Sequence, residues 1–176
     1  RVYERALQAR LVQDVVVATD DERIRTVVEA HGGHAVMTRA DHATGTDRLA
    51  EAAARMTDYD LIINVQGDEP LIEPSVIDAL VEPFLADDRL AMATAKTEIT
   101  DEEEQENPNN VKVITDKSGN ALYFSRARIP YARVPGAKVY KHIGIYAYRR
   151  DFLLAYARMA QTPLELSESL EQLRAL

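Results

Sequence analysis

The sequence predicts an α/β fold, with a mostly parallel, doubly wound sheet over residues 1–100 and an antiparallel insertion over residues 107–150. Two observations support the doubly wound sheet: short apolar runs alternate with helical patterns, and each run ends in a polar loop. A third observation supports the antiparallel insertion: two strand patterns there flank a loop of hairpin length. Since about 150 residues is a common domain size, we expect the 176 residues to form a single domain.

The first strand and helix are marked by hydrophobic spacing and by capping side chains. Residues 14–18 form a short apolar run, typical of a parallel strand that is buried on both faces. Residues 19–21 supply side chains that can cap a helix, and apolar residues within 24–28 recur at i, i+3 and i+4. The glycine pair at 32–33 marks the end of this helix.

The same alternation continues along the first hundred residues. The next strands are predicted at residues 35–37 and 61–65, and a further strand at 91–99. Helical patterns cover residues 49–56 and 74–81, the second of which opens with a proline in its first turn. Strands that alternate with helices in this way predict right-handed βαβ units and hence a mostly parallel sheet.

The pattern changes beyond residue 107. Strands predicted at 111–115 and 121–124 flank a turn-rich loop, which indicates a hairpin. A further strand is predicted at 143–148, after which Asp151 is expected to cap a helix that continues through residue 159. Residues 162–165 read as a capping box that opens a helix to the last residue.

The composition excludes several classes of protein. The chain has 21 Lys and Arg against 29 Asp and Glu, and a net charge of −8 argues against non-specific nucleic-acid binding. The absence of Cys excludes disulfide frameworks and thiolate metal sites. No apolar run approaches the roughly 20 residues of a membrane helix, and no signal-peptide pattern is present. We therefore expect a soluble, cytoplasmic protein that binds no membrane.

The charges are unevenly distributed along the chain. Six of the nine residues 98–106 are acidic, a pattern typical of a solvated helix or loop. Residues 117–150 contain no acid but eight Lys and Arg, interleaved with tyrosines. Such a stretch suits an anionic small molecule, although a rim of exposed strands would have the same composition.

Two polar loops follow predicted strands, at the end of an open α/β sheet where ligands bind. Residues 66–70 (Gln-Gly-Asp-Glu-Pro) include Asp68, a hard oxygen ligand of the kind that Mg²⁺ uses alongside substrate phosphates. Residues 38–48 bring the Thr44 and Thr46 hydroxyls to a predicted helix start, which suits a polar ligand. In the simpler interpretation, these side chains only cap the following helices.

Further polar residues lie near the predicted strand and helix in the second half of the chain. His142 and Tyr146 point to one face of a predicted strand, and Glu171 and Gln172 lie on the last helix. In the alternative interpretation, His142 and Tyr146 are packing residues, and Glu171 and Gln172 pair with neighbours on their own helix. No dinucleotide or phosphate-loop glycine motif occurs, which disfavours a dehydrogenase of the Rossmann type and a P-loop kinase.

A series of motifs along the chain is more specific than any one of these loops. In chain order they are VATDD (17–21), MTRADHATGTDRLAE (37–51), NVQGDEP (64–70), NPNNVKV (107–113), ALYFSR (121–126), HIGIY (142–146), and LE (164–165) with LEQLR (170–174). Together they closely resemble the 3-deoxy-D-manno-octulosonate (Kdo) cytidylyltransferase family, also called CMP-Kdo synthetases, along essentially the whole chain. The CMP-sialic acid synthetases share the fold but differ in their sugar-contacting motifs.

The resemblance implies a Rossmann-like fold of the nucleotide-diphospho-sugar transferase type. It also implies the reaction of CTP with Kdo to give CMP-Kdo and pyrophosphate, for lipopolysaccharide biosynthesis, in a cytoplasmic, Mg²⁺-dependent homodimer. By motif match, Asp68 is the catalytic residue and the Mg²⁺ ligand. The residues implied at the nucleotide are Arg39, Thr44, Gly45, Thr46 and Gln66, and those implied at the sugar acid are Arg126, His142, Tyr146, Glu171 and Gln172.

The resemblance implies two further parts that lie outside residues 1–176. One is a leading strand with a basic, Pro- and Gly-containing loop that cradles the CTP phosphates, and the other is a second metal-binding Asp. We therefore expect the phosphate site and a two-carboxylate metal site to be incomplete within these residues. Two alternatives remain open: a related synthetase for another acid sugar, and a catalytically incomplete, dimeric α/β module.

Overall fold

The computed structural model describes residues 1–42 and 44–176, which divide into two units. Unit 1 consists of Arg1–Ala93 and Ile145–Arg158, and unit 2 consists of Thr94–Gly144 and Met159–Leu176. The expectations of a single domain and of an insertion over residues 107–150 remain predictions.

Helices and strands alternate through most of the chain. In chain order they are α1 (Val2–Ala6), β1 (Val16–Thr19), α2 (Glu22–Ala30), β2 (His34–Met37), α3 (Gly45–Arg55), β3 (Leu61–Asn64), α4 (Pro74–Ala86), β4 (Met92–Ile99), α5 (Glu102–Glu106), β5 (Lys112–Thr115), β6 (Ala121–Ser125), β7 (Val139–Arg149), α6 (Arg150–Tyr156), α7 (Pro163–Glu168) and a terminal 3₁₀ helix (Glu171–Ala175). The predicted α/β class is confirmed.

Unit 1 contains both parallel and antiparallel strand pairs. Strands β1 and β2 are parallel, with Val17 opposite Ala35, and α2 connects them as the sequence predicts. Strand β3 is antiparallel to the last residues of β7, with Ile62 opposite Tyr148. A βαβ unit is therefore present, whereas a mostly parallel sheet is not established by these pairings.

Helix α2 begins and ends where the sequence predicts. The Asp21 side chain caps it by accepting a hydrogen bond of 2.8 Å from the backbone N–H of Arg23. Gly32 follows the helix with a φ of +74°, a left-handed conformation that favours glycine. The apolar residues Ile24 and Val27 are 46% and 58% exposed, so the predicted apolar stripe contributes little to the core.

The core of unit 1 is formed where α3, β3, β7 and α6 meet. Ala53, Ile62, Tyr148, Leu153 and Tyr156 are all buried in one cluster. Burying a large apolar side chain contributes about 1.5–3 kcal/mol, so this cluster provides much of the stability that holds the end of β3 in place.

Helix α6 does not begin with an Asp151 cap, and this expectation was wrong. The N-cap is Arg149, which makes no side-chain cap, and the Asp151 side chain is exposed in the first turn. Strand β7 continues up to Arg149, because the backbone N–H of Arg149 donates to the Ala91 carbonyl at 2.8 Å. The helix therefore starts directly after the strand, without a loop in which Asp151 could act as a cap.

Unit 2 is built on the predicted hairpin. Strands β5 and β6 are antiparallel, with Val113 opposite Phe124, and Lys112 of β5 lies opposite Lys141 of β7. In the hairpin turn, Gly119 has a φ of +91°. Val113 and Phe124 pack with two leucines near the end of the chain, Leu170 and Leu173, to form the core of this unit.

The last predicted helix is interrupted. The capping box between Thr162 and Glu165 is confirmed, but α7 ends at Glu168 and Ser169 is left-handed, with a φ of +51°. The chain then continues as a 3₁₀ helix to Ala175. Burial of Leu170 against the hairpin provides the physical reason, since tertiary packing outweighs local helix propensity.

The acidic run 98–106 includes a short helix whose acidic side chains face solvent. Residues 102–106 form the short helix α5, in which only Gln105 is buried, so the predicted solvated acidic segment is confirmed. Within residues 1–42 and 44–176, no helix is both long and apolar enough to cross a bilayer.

Candidate functional site

The structure places the predicted site residues in two groups. Unit 1 holds Arg39, Thr44, Gly45, Thr46, Gln66, Asp68 and Tyr146. Unit 2 holds Arg126, His142, Glu171 and Gln172.

The start of helix α3 carries three of the predicted nucleotide residues. Thr44 caps the helix: its hydroxyl accepts from the backbone N–H of Asp47 at 3.2 Å, and its own N–H donates to the Asp47 carboxylate at 3.1 Å. Thr46 is buried, whereas a Cβ on Gly45 would meet no atom within 4 Å. Open space at the first helical residue lets a ligand approach backbone N–H groups at the positive end of the helix dipole.

Arg48 joins this helix to the ends of two strands. Its guanidinium Nη1 lies 2.6 Å from the Thr38 hydroxyl, which follows β2, and 3.0 Å from the carboxylate of Asp20, which follows β1. Arg48 was not among the predicted site residues, because its partners lie well outside its own helical turn. In the structure, Arg48 links the segments that follow β1 and β2.

The loop after β3 lies beside a groove in unit 1. This groove, of about 750 Å³, is lined by both β1 and β3 and also by Gly45, Gln66 and Gly67. Tyr146 lies opposite Asn64, two residues before Gln66, and stacks on Tyr148 with ring centroids 5.8 Å apart. The structure therefore brings Gly45 and Gln66 to one groove.

Asp68 is exposed in this loop and suits one type of metal site. Within the described residues, no group of three or more His, Asp or Glu side chains gathers as a metal cluster. Mg²⁺ commonly binds one or two protein carboxylates and completes its shell with water and substrate phosphates. An exposed carboxylate in the loop that follows a strand fits that arrangement.

Arg39 has an exposed side chain that faces two carboxylates. Its Nε lies 3.6 Å from Asp41 and 3.7 Å from Glu51, and 70% of the side chain is exposed. These distances describe weak, solvent-screened ion pairs, so the guanidinium can turn toward an anionic ligand at small cost.

In unit 2, Arg126 is fixed by backbone carbonyls. Its guanidinium donates to the carbonyls of Glu168 (2.7 Å), Pro108 (3.2 Å) and Ser169 (3.3 Å). A guanidinium carries five N–H groups, and these bonds use three of them. The position of Arg126 is therefore set by the protein before any ligand binds.

Glu168 also holds the end of β6 and the residue that follows it in place. Its carboxylate accepts from the Ser125 hydroxyl at 2.7 Å and from the backbone N–H of Arg126 at 2.9 Å. Partial burial alone would raise the pKa of Glu168, but these hydrogen bonds outweigh that effect and lower the pKa. Glu168 was not among the predicted site residues, because it lies more than 40 residues from its partners.

His142 is buried and hydrogen-bonded on both ring nitrogens. Its Nε2 lies 2.9 Å from the Thr94 hydroxyl, which donates its own proton to the Ile143 carbonyl at 3.1 Å. We therefore assign the ring proton to Nε2, so that Nδ1 accepts from the Gln172 side-chain amide at 3.5 Å. The structure thus brings His142 and Gln172 together, and Thr94 is a partner that the sequence analysis missed.

Burial of His142 predicts a pH dependence of stability. Burial lowers the pKa of His142 to about 4, below its ordinary value of 6.5. Between pH 6.5 and 4 the unfolded chain binds a proton that the folded chain does not, so stability falls as the pH falls through this window. We expect the wild type to lose about 2–3 kcal/mol more than His142→Gln between pH 7 and 4.

Urea unfolding of both proteins at the two pH values measures this difference. The lowered carboxylates elsewhere in the chain titrate equally in both proteins and cancel in the comparison. An equal loss of stability in wild type and His142→Gln would contradict a buried, neutral histidine.

The terminal 3₁₀ helix is held by a buried ion pair. The guanidinium of Arg174 binds the carboxylate of Glu165, with Nε 2.9 Å from Oε2, and both side chains are at least 94% buried. The hydrogen bond from Arg174 lowers the pKa of Glu165. This pair fixes the segment that carries Glu171 and Gln172.

Comparison with known proteins identifies the class to which this fold and these loops belong. The family profile described as "Cytidylyltransferase" matches residues 1–176, and the chain belongs to that family.

The chain is also similar to particular enzymes of this family. A 3-deoxy-manno-octulosonate cytidylyltransferase of Geobacter metallireducens is 56% identical over 99% of this chain and 73% of its own length. Enzymes of the same name from Syntrophotalea carbinolica and Fusobacterium nucleatum are 55% and 53% identical, over 74% and 71% of their own lengths. A solved structure of CMP:2-keto-3-deoxy-manno-octonic acid synthetase complexed with CTP has a TM-score of 0.94 at 48% identity, over 98% of this chain and 71% of that one.

Proposed function

We propose that this protein activates Kdo by cytidylyl transfer, with CTP and Kdo as substrates and CMP-Kdo and pyrophosphate as products, for lipopolysaccharide biosynthesis. The observation that carries the proposal is the agreement of the family profile with relatives above 50% identity and with a CTP-complexed structural neighbour. The alternative of a catalytically incomplete module has no comparable support.

The nucleotide side of the reaction belongs to unit 1. We assign Arg39, Thr44, Gly45, Thr46 and Gln66 to the cytidine pocket, supported by the groove that Gly45 and Gln66 share. Asp68 would hold Mg²⁺, which supplies charge neutralisation and orientation of the polyphosphate when it is bound.

The sugar side of the reaction is assigned to a different set of polar groups. Arg126 has further N–H groups for the Kdo carboxylate, while His142 and Gln172 offer neutral hydrogen-bonding groups to sugar hydroxyls. Glu171 and Tyr146 complete the assigned set. Since His142 is neutral near pH 7, it would orient the sugar by hydrogen bonds rather than by charge.

The chemistry follows from these positions. The anomeric hydroxyl of Kdo attacks the α-phosphorus of CTP and its proton passes to solvent, while the bond from that phosphorus to the bridging oxygen breaks and pyrophosphate leaves. Because two anionic substrates must meet, catalysis depends mainly on positioning and charge stabilisation. We assign no protein side chain as general base.

The finer features of the fold and the assembly also belong to this proposal. A mostly parallel, Rossmann-like sheet is supported by the β1–α2–β2 unit and by the groove that β1 and β3 share. A homodimer is supported by exposed apolar side chains in unit 2: Leu122, Tyr131 and Val134 are 57%, 89% and 67% exposed. We place the enzyme in the cytoplasm, where CTP is made.

The discriminating experiment compares two acid sugars. We expect Mg²⁺-dependent pyrophosphate release from CTP with Kdo, and at least tenfold lower kcat/KM with N-acetylneuraminic acid, since Arg126, His142 and Gln172 would be arranged for one sugar. A preference for N-acetylneuraminic acid would favour a related synthetase. Light scattering of the same sample gives the oligomeric state.

A further inference from the structure

Glu51 lies in the middle of helix α3, and its carboxylate faces the segment that leads from β2 toward this helix. Its side chain is only 18% exposed, although it carries a charge. Together with Arg39 and His42 it lines a pocket of about 440 Å³. A largely buried carboxylate in such a place is stable only when its oxygens are hydrogen-bonded.

We call residues 38–42 the approach loop. One carboxylate oxygen of Glu51 accepts hydrogen bonds from two residues of this loop. It accepts from the backbone N–H of Arg39 at 3.1 Å and from Nε2 of His42 at 2.5 Å. The His42 side chain is 5% exposed, so this contact is shielded from water. Because a carboxylate only accepts hydrogen bonds, the Nε2 of His42 carries the proton.

The other oxygen of Glu51 fixes the carboxylate itself. It pairs with the guanidinium of Arg55, one turn further along α3, and Arg55 also donates to the Met37 carbonyl at 2.8 Å. Hydrogen bonds from the Arg39 N–H and from His42 lower the pKa of Glu51, so the carboxylate stays charged near neutral pH. The carboxylate is therefore held at both oxygens, by the helix on one side and by the approach loop on the other.

Other described contacts hold the two ends of the approach loop, where Arg48 also donates to the Thr38 hydroxyl at 2.6 Å. At its start, the N–H of Thr38 donates to the Thr19 carbonyl at 2.9 Å, and the capping box at Thr44 fixes the residue where α3 begins. Between these points, Glu51 is the acceptor for the Arg39 N–H and for His42. The same loop carries Arg39, which the proposed function places at the cytidine.

We propose that Glu51 is a positioning residue for the nucleotide site, which rests on the proposed function: it fixes the approach loop so that Arg39 is preorganised for CTP. Glu51 itself touches no reacting atom. Loss of its contacts should weaken CTP binding more than it slows the chemical step, since the cost is the entropy of ordering the loop.

The first test needs no substrate. We expect Glu51→Ala to speed hydrogen exchange of the Arg39 amide by about tenfold or more, because a hydrogen bond to a charged acceptor is lost. Glu51→Gln keeps one accepting oxygen and should stay within about threefold of wild type. Glu29→Ala is the matched control, because Glu29 lies on α2, outside the approach loop, and pairs with Arg25 of the same helix.

The second test uses steady-state kinetics of the same variants. Glu51→Ala should raise KM for CTP by about tenfold with kcat changed less than about threefold, and KM for Kdo should not change. Glu51→Gln should recover most of the loss, and Glu29→Ala should match wild type. A merely structural role would lower the melting temperature without this separation of KM from kcat.

The two tests separate failure of this inference from failure of the proposed function. Unchanged Arg39 exchange in Glu51→Ala, or equal changes in kcat and in both KM values, would overturn the positioning role. If wild type does not turn over CTP with Kdo, the proposed function fails, while the exchange measurement still decides whether Glu51 fixes the loop.

Discussion

Replacing Asp68 with Asn is expected to lower kcat for CMP transfer by about 10²–10³-fold, the usual cost of removing one preorganised group that stabilises developing charge. The carboxylate would hold Mg²⁺ against the CTP phosphates, and an amide is a poorer ligand for this ion. The side chain is exposed, so the substitution should leave folding unaffected. Pyrophosphate release at saturating CTP and Kdo, measured across a Mg²⁺ titration, tests the expectation.

Glu69 provides the matched control for Asp68. It is the adjacent carboxylate in the same loop and is also exposed, and we assign it no ligand. Glu69→Gln should therefore retain kcat within about threefold, the limit for a surface change without a role. If Asp68→Asn kept wild-type kcat and the wild-type Mg²⁺ dependence, the assignment of the metal to this carboxylate would be wrong.

Replacing Arg174 with Ala is expected to lower the free energy of unfolding by about 3–5 kcal/mol, because it leaves the Glu165 carboxylate buried without its main partner. The Arg174 and Glu165 side chains are 6% and 5% exposed. The terminal 3₁₀ helix depends on this pair, so the sugar-side residues Glu171 and Gln172 should lose order at the same time. Urea unfolding measures the change, and KM for Kdo reports its consequence.

An exposed pair of the same type is the control for Arg174. Arg89 pairs with Asp87 on the surface, and its side chain is 92% exposed. Arg89→Ala should therefore cost less than about 1 kcal/mol. A loss below about 1 kcal/mol for Arg174→Ala would show that the buried pair contributes no more than a surface one.

Short-range chemistry accounts for the parts of the fold that the sequence predicted well. Asp21, Thr44 and Thr162 each cap a helix through a backbone N–H two or three residues away, so the pattern is readable locally. The hairpin between β5 and β6 is likewise defined by a turn within a few residues.

Long-range contacts account for most of what the sequence did not predict. Glu168 holds Arg126 across 42 residues, and Thr94 meets His142 across 48. The break at Ser169 has the same origin, because packing on the hairpin decides it. No local pattern marks such partners in a single sequence.

The candidate site was therefore predictable mainly through its motifs. Asp68 and Gln66 stand directly after a clear strand, where a ligand is expected on general grounds. Their assignment to a particular nucleotide and sugar came from the resemblance, because Gly-Asp-Glu is too short to define a substrate. Glu51 was seen only as part of a motif, and its contacts appear in the structure alone.

The most direct measurement follows the phosphorus atoms of CTP through the reaction with Kdo and Mg²⁺. With label on the α-phosphorus, radioactivity should move into the sugar-linked product, and with label on the γ-phosphorus it should appear in pyrophosphate. Label from the γ-phosphorus in the sugar product, or no sugar-linked label from either position, would contradict cytidylyl transfer to Kdo.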